Sequence, residues 1–252
     1  VTRTVLTKAA FKCHYLLLTG RGYSWRCKLR RAATTGDDGQ MSDMPALTID
    51  ADAVRFSAPA SERAGLPLLL LMHGYGSNED DLISLAPHLP QSAVASLRAP
   101  IAESGGYAWF SRAVFGGDGP TQQHADAATH AVLTWLDTQP PAPVGLLGFS
   151  QGGAMVLQLM RAAPQRFAFG VQLSGYVVAG EAAGDAELAA RKPAVFWGRG
   201  TNDAMIGPEA IARTKAWLPE HASADIRLYE GLAHSISAEE LTDVAAFISA
   251  HQ

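Results

Sequence analysis

The run Val144-Gly145-Leu146-Leu147-Gly148-Phe149-Ser150-Gln151-Gly152-Gly153 starts as a short apolar strand, ends in Gly-x-Ser-x-Gly, and opens onto the helix-like segment Ala154 to Ala162. A serine on such a sharp strand-to-helix turn sits in strained backbone, and its Oγ clears the sheet edge only if its neighbours are small. Gly148 and Gly152 meet that demand. Glycine and serine are common turn residues, so the pentapeptide gains its meaning from the rest of the chain.

Short apolar runs alternate with longer amphipathic segments. Leu68 to Met72, Ala93 to Leu97, Val144 to Leu147, Phe167 to Leu173, Ala194 to Trp197 and Ile226 to Tyr229 are the strand candidates. Thr121 to Thr138 carries Ala125, Ala128, Val132 and Trp135 at helical spacing, and Pro208 to Leu218 and Glu239 to His251 read similarly. This alternation predicts an α/β fold, a mostly parallel sheet with helices on both faces. Leu47 to Ile49 and Val54 to Phe56 suit an antiparallel edge hairpin.

With 252 residues, 48% of them hydrophobic, the chain can bury one large core. Its net charge of −4 hides an asymmetry. Residues 1–40 hold eight Lys or Arg against Asp37 and Asp38, which leaves the remaining 212 residues strongly acidic. That balance argues against a nucleic-acid backbone as partner of the body. Cys13 and Cys27 both lie in the basic leader, so residues 41–252 can use neither a disulfide nor a thiolate nucleophile. A reducing, cytoplasmic setting fits. Tyr15 to Thr19 is far too short for a signal-peptide core, and no run approaches the roughly 18 apolar residues of a spanning helix, so no integral membrane association is expected. Gly36-Asp37-Asp38-Gly39-Gln40 separates the leader from Met41. The expected organisation is an extension over 1–40, disordered or foreign to the native protein, and a catalytic domain over 41–252. Its Arg, Lys and Thr content also suits an organellar transit peptide.

If Ser150 is a nucleophile, an acid and a base must follow it on other strand ends. Gly198-Arg199-Gly200-Thr201-Asn202-Asp203 is a turn-rich loop after the run Ala194 to Trp197, where open α/β sheets place their ligands. Asp203 is the expected orienting acid. Ile226 to Tyr229 leads into Glu230-Gly231-Leu232-Ala233-His234-Ser235, which puts His234 on a loop ahead of the final helix as the expected general base. His221 and His251 fit worse, one preceding its strand and the other next to the chain end. An oxyanion formed in acyl transfer needs two positioned donors. The glycine-rich Met72-His73-Gly74-Tyr75-Gly76-Ser77 follows the first long apolar run, and the amides of Tyr75 and Gln151 are the expected pair.

Four blocks give the chain a resemblance to the phospholipase/carboxylesterase branch of the α/β hydrolases, the family that includes acyl-protein thioesterases. They are Met72-His73-Gly74-Tyr75-Gly76-Ser77-Asn78-Glu79-Asp80-Asp81-Leu82, Tyr107-Ala108-Trp109-Phe110, Gly148-Phe149-Ser150-Gln151-Gly152-Gly153 and Tyr229-Glu230-Gly231-Leu232-Ala233-His234-Ser235. With the Asp203 loop they span about residues 68 to 251. The resemblance implies an α/β-hydrolase fold without a large lid, a Ser-Asp-His triad, and an esterase or thioesterase that needs no metal and no cofactor. The chain departs from that pattern in its first 40 residues and at Ala204, where relatives usually carry proline.

Other residues have plainer readings. His73, between Met72 and Gly74, suits a structural hydrogen bond. His124 and His130 are six apart on a predicted helix and face different directions, so with Asp126 they read as a solvated face and not a metal site. Tyr107, Trp109, Phe110 and Phe115 lie in a glycine-rich loop and could wall an acyl pocket or pack beneath it. The expected activity is carboxylic ester hydrolysis through an acyl-enzyme on a small-molecule acyl ester or thioester, by a monomer or homodimer. The alternatives are a lysophospholipase or acyl-protein thioesterase acting on long acyl chains, and a non-catalytic hydrolase-like binding protein.

Overall fold

The computed structural model describes residues 46–111 and 122–252, the side chains of Gln123 and His124 excepted. The basic leader, Met41 and Phe115 lie outside them. The strands are β1 Arg55–Phe56, β2 Leu68–Met72, β3 Ala93–Leu97, β4 Ile101–Glu103, β5 Gly106–Ala108, β6 Val144–Phe149, β7 Phe169–Leu173, β8 Ala194–Gly200 and β9 Ser223–Tyr229. The α-helices are α1 Ala60–Arg63, α2 Gln122–Asp137, α3 Gln151–Ala162, α4 Asp185–Arg191, α5 Pro208–His221 and α6 Ala238–His251.

Both faces of β2 are covered, which is why it reads as an unbroken apolar run. Leu68, Leu70 and Met72 join one buried cluster with residues of α2, α3, α4 and α5. Leu69 and Leu71 point the other way, toward Val244, Phe247 and Ile248 of α6. Each such buried leucine contributes about 1.5–3 kcal/mol. Seven strands form one sheet in the order β1-β3-β2-β6-β7-β8-β9, with β1 antiparallel to β3 and every other adjacent pair parallel. After β2 the chain moves to one side for β3, and it later returns to the other side of β2 for β6. The loops that follow β2 and β6 therefore meet at the carboxyl ends of the strands, where such sheets place ligands.

The expected opening hairpin requires correction. Arg55 and Phe56 do form an edge strand, but they pair with Ser96 and Ala95 of β3. Leu47 to Ile49 is not a strand, because Asp50 accepts a hydrogen bond from the Asp52 amide (3.1 Å) and starts a 3-10 turn over Ala51–Ala53. The β4–β5 hairpin closes through Ser104 and Gly105, both at positive φ (58° and 78°). β5 then pairs onto the loop after β2 through an antiparallel bridge between Tyr107 and Ser77. Among the described residues no helix is long and apolar enough to cross a membrane.

Candidate active site

β6 delivers Ser150 to the turn before α3 with φ 57° and ψ −115°, a conformation that costs a non-glycine residue of order 1–3 kcal/mol. Backbone contacts hold it there. The Ser150 amide donates to the Leu173 carbonyl of β7 (2.8 Å), and its carbonyl accepts from the Ala154 amide (3.0 Å). A methyl on Gly148 would meet the Gly152 carbonyl oxygen at 2.1 Å, and one on Gly152 would meet the Met72 oxygen at 1.9 Å. Both glycines are thus required by close backbone approach.

β8 ends in the turn that carries Asp203, and β9 leads to the loop that carries His234. The two loops are stitched together: the Asn202 amide donates to the Leu232 carbonyl (3.0 Å), and the Gly231 amide to Thr201 Oγ1 (2.9 Å). His234 Nδ1 lies 2.9 Å from Asp203 Oδ2, and Nε2 lies 2.9 Å from Ser150 Oγ. An ionised carboxylate only accepts, so Nδ1 carries the proton and Nε2 is left to accept from the serine hydroxyl. Burial pushes the Asp203 carboxyl up, but its hydrogen bond with His234, the nearby imidazole and the Met205 amide outweigh that and hold it below the ordinary carboxylate range. The Phe149 ring packs on the imidazole at 4.8 Å between centroids.

The loop after β2 runs beside the serine, since a methyl on Gly74 would lie 3.5 Å from Ser150 Cβ. The Tyr75 amide is on this loop, and the Gln151 amide is the first of α3, where no intrahelical acceptor is available. His73 is fully buried, with Nδ1 2.7 Å from the Gly74 carbonyl and Nε2 accepting from the Ala99 amide (3.1 Å). Burial holds its pKa low, so the neutral ring braces the loop.

The aromatic residues the sequence offered as an acyl-pocket wall or as packing differ in their burial. Trp109 and Phe110 are completely buried and belong to the core beneath the loop. The Gln151 side chain fixes them there, accepting from the Trp109 amide (2.8 Å) and donating to the Phe110 carbonyl (2.6 Å). Trp109 Nε1 in turn donates to the His73 carbonyl (2.9 Å). Tyr107 is half-buried under the Arg98 guanidinium, 4.7 Å from its ring centre. Sequence reasoning assigned Gln151 only a backbone role and missed its side chain. It also missed the buried Glu79, which takes a two-pronged ion pair from Arg98, and the Tyr75 hydroxyl, which donates to Glu103 (2.7 Å). A glutamate inside the Asn78-Glu79-Asp80-Asp81 run gives no sign that it alone is buried.

His221 and His251 are engaged elsewhere, each with Nδ1 2.8 Å from the carbonyl four residues back in its helix. Asp126 and His130 are exposed on α2. Among the described residues no group of three or more His, Cys, Asp or Glu could hold a metal ion.

A serine at positive φ between a central parallel strand and its helix, with an aspartate and a histidine on successive strand ends, defines an α/β hydrolase by architecture. Residues 57–252 match the phospholipase/carboxylesterase family, and the chain belongs to it. It is 33% identical over 110 residues to the carboxylesterase SOBER1 of Arabidopsis thaliana, covering 43% of this chain and 48% of that one. Esterase YpfH of Escherichia coli is 28% identical over 200 residues, 72% of this chain and 81% of that protein. The chain spans about half the length of the plant relatives it matches. The crystal structure of a Bacillus cereus carboxylesterase shares the fold with a TM-score of 0.66 at 20% identity, over 79% of this chain and 94% of that one.

Proposed function

We propose that the unit over residues 41–252 hydrolyses carboxylic esters through an acyl-enzyme at Ser150. The observation that carries this reading is the hydrogen-bonded series from Asp203 through His234 to Ser150, with both contacts at 2.9 Å. His234 Nε2 takes the Ser150 proton as Oγ attacks the ester carbonyl. The negative charge that forms on the carbonyl oxygen is received by the amides of Tyr75 and Gln151, each such donor contributing on the order of 3 kcal/mol to the transition state. The imidazolium, stabilised by Asp203, gives its proton to the departing alkoxide. Water then attacks the acyl-enzyme with His234 again as base, and Ser150 recovers its proton as the carboxylic acid leaves. No step calls for a cofactor.

Trp109 and Phe110 are taken up by the core, and this supports short acyl chains over the long ones of a lysophospholipase or acyl-protein thioesterase. A series of p-nitrophenyl esters from acetate to palmitate, run beside the matching thioesters, tests the substrate class. A rise in kcat/KM toward palmitate or palmitoyl thioester would favour the long-chain alternative. For the mechanism, a fluorophosphonate probe is expected to label Ser150 and to leave Ser150→Ala unlabelled; labelling that persists in the variant refutes the assignment. Labelling of the wild type with no turnover on any acyl substrate would instead favour a non-catalytic binding protein. Confinement of Cys13 and Cys27 to the first 40 residues supports a cytoplasmic setting.

A further inference from the structure

Among the described residues, β9 is an outer strand of the seven-stranded sheet and pairs only with β8. An uncovered strand edge is a row of donors and acceptors that natural proteins blunt, cover or use. Here the side chains along it are unusual, since Ile226 and Leu228 are 40% and 65% exposed and belong to the few large apolar residues that the described residues leave on the surface. Between them Arg227 bonds Asp225 (2.9 Å) on the opposite face of the strand.

The hydrogen-bond phase of β9 follows from its two ends. The Ser223 amide donates to the Pro193 carbonyl, one residue ahead of β8, and the Tyr229 carbonyl accepts from the Thr201 amide, one residue past it. In a parallel ladder alternate residues direct both backbone groups to one neighbour. Ser223, Asp225, Arg227 and Tyr229 therefore bond toward β8, while Ala224, Ile226 and Leu228 direct amide and carbonyl outward. The register with β8 runs unbroken from Ser223 to Tyr229, so no bulge changes this phase.

We infer that β9 pairs antiparallel with β9 of a second copy of this chain, about a two-fold axis at Ile226, and joins two sheets into one. Centred there, Ile226 faces the partner's Ile226 and Ala224 faces the partner's Leu228, and each of these pairs exchanges two backbone hydrogen bonds. The same register sets Asp225 opposite the partner's Arg227, and Arg227 opposite the partner's Asp225. Shifting the axis to residue 225 or 227 puts like charges directly opposite each other, which is destabilising. Hydrogen-bond phase, the apolar pairs and the charge pairs thus select one register. The occupant of the edge is a copy of the chain because the strand is complementary to itself.

Sedimentation velocity on the full chain at micromolar concentration is the test, with a mass twice that of the 252-residue chain expected. Ile226→Pro removes an outward amide that β8 does not use, a change that edge strands tolerate, and is expected to give a monomer with unchanged circular dichroism. Asp225→Arg alone sets arginine against arginine and is expected to give a monomer. Asp225→Arg with Arg227→Asp restores opposite charges across the axis and is expected to restore the dimer. If Ile226→Pro fails to fold, the charge variants still decide. Amide exchange adds a signature: protection at residues 224, 226 and 228 is expected to rise with protein concentration while that at 225 and 227 stays constant. A monomeric wild type, or a dimer indifferent to both Ile226→Pro and Asp225→Arg, overturns the inference.

Discussion

Glu240 offers a test of how burial and charge set the stability of this fold. It is fully buried in the first turn of α6, and its Oε1 sits where a methyl on Gly198 would be, 2.3 Å away. Its amide donates to Ser237 Oγ (3.0 Å), and the Ser237 amide acts back on the carboxylate without closing a hydrogen bond of good geometry. Burial, reinforced by the negative charge of Asp243, outweighs that amide and raises the Glu240 pKa from 4.5 to about 7. Below pH 4.5 the group is protonated in both folded and unfolded chains and contributes nothing to the pH dependence. Above it the unfolded chain gives up the proton first, so stability falls as pH rises, by about 1.4 kcal/mol for each pH unit. The fall ends near pH 7, at a total of about 3 kcal/mol. Glu240→Gln keeps the shape and stays neutral throughout. Urea unfolding followed by tryptophan fluorescence from pH 5 to pH 8.5 is expected to find the variant close to wild type at the acid end and about 3 kcal/mol more stable at the alkaline end. A gap between the two proteins that stays constant with pH, or a variant less stable at pH 8, refutes the reasoning.

Three further outcomes are expected. Asp203→Asn donates where the carboxylate accepts, leaves His234 in the wrong tautomer, and lowers kcat on the order of 10⁴-fold on the best ester from the chain-length series. Gly152→Ala places a methyl 1.9 Å from the Met72 oxygen, and chemical denaturation is expected to register a loss of about 3 kcal/mol or more. Gln151→Ala keeps the backbone amide but removes the side-chain oxygen that the buried Trp109 amide donates to and the side-chain amide that donates to the Phe110 carbonyl, with an expected loss of about 1–3 kcal/mol in the same measurement.

The parts of the site that sequence made legible share one property. Ser150, Asp203 and His234 each follow an apolar run at the carboxyl end of a strand, so local pattern locates them and the topology brings them together. β2 and β3 were legible to the residue because buried parallel strands are apolar throughout, whereas β8 and β9 continue past their apolar runs into Arg199-Gly200 and begin earlier at Ser223. Trp109 and Phe110 were ambiguous because their burial depends on Gln151, about 40 residues away in sequence. The β4–β5 hairpin is too short for periodicity and is announced only by Ser104-Gly105. α4 escaped because it is short and anchored from outside, by the buried Arg161 clasping Asp185.

What holds Asp203 and His234 2.9 Å apart is backbone contact between their loops, and Gly200 lies at its centre. A methyl on it would come within 1.9 Å of the Leu232 oxygen and 2.8 Å of the Ala233 oxygen. Gly200→Ala must therefore push the segment that carries His234 away from the end of β8. A displacement on the order of 1 Å at a catalytic group costs about 10²-fold in rate, whereas the loop is partly exposed and can yield without disturbing the core. The expected result is a kcat loss of about 10²-fold with KM nearly unchanged and a thermal midpoint lowered by only a few degrees. A variant with kcat within a factor of two of wild type would mean that side-chain hydrogen bonds alone set the geometry. If kcat and thermal stability collapse together, the loops are part of the folding core, and a rigid sheet is not separable from a stitched rim of loops.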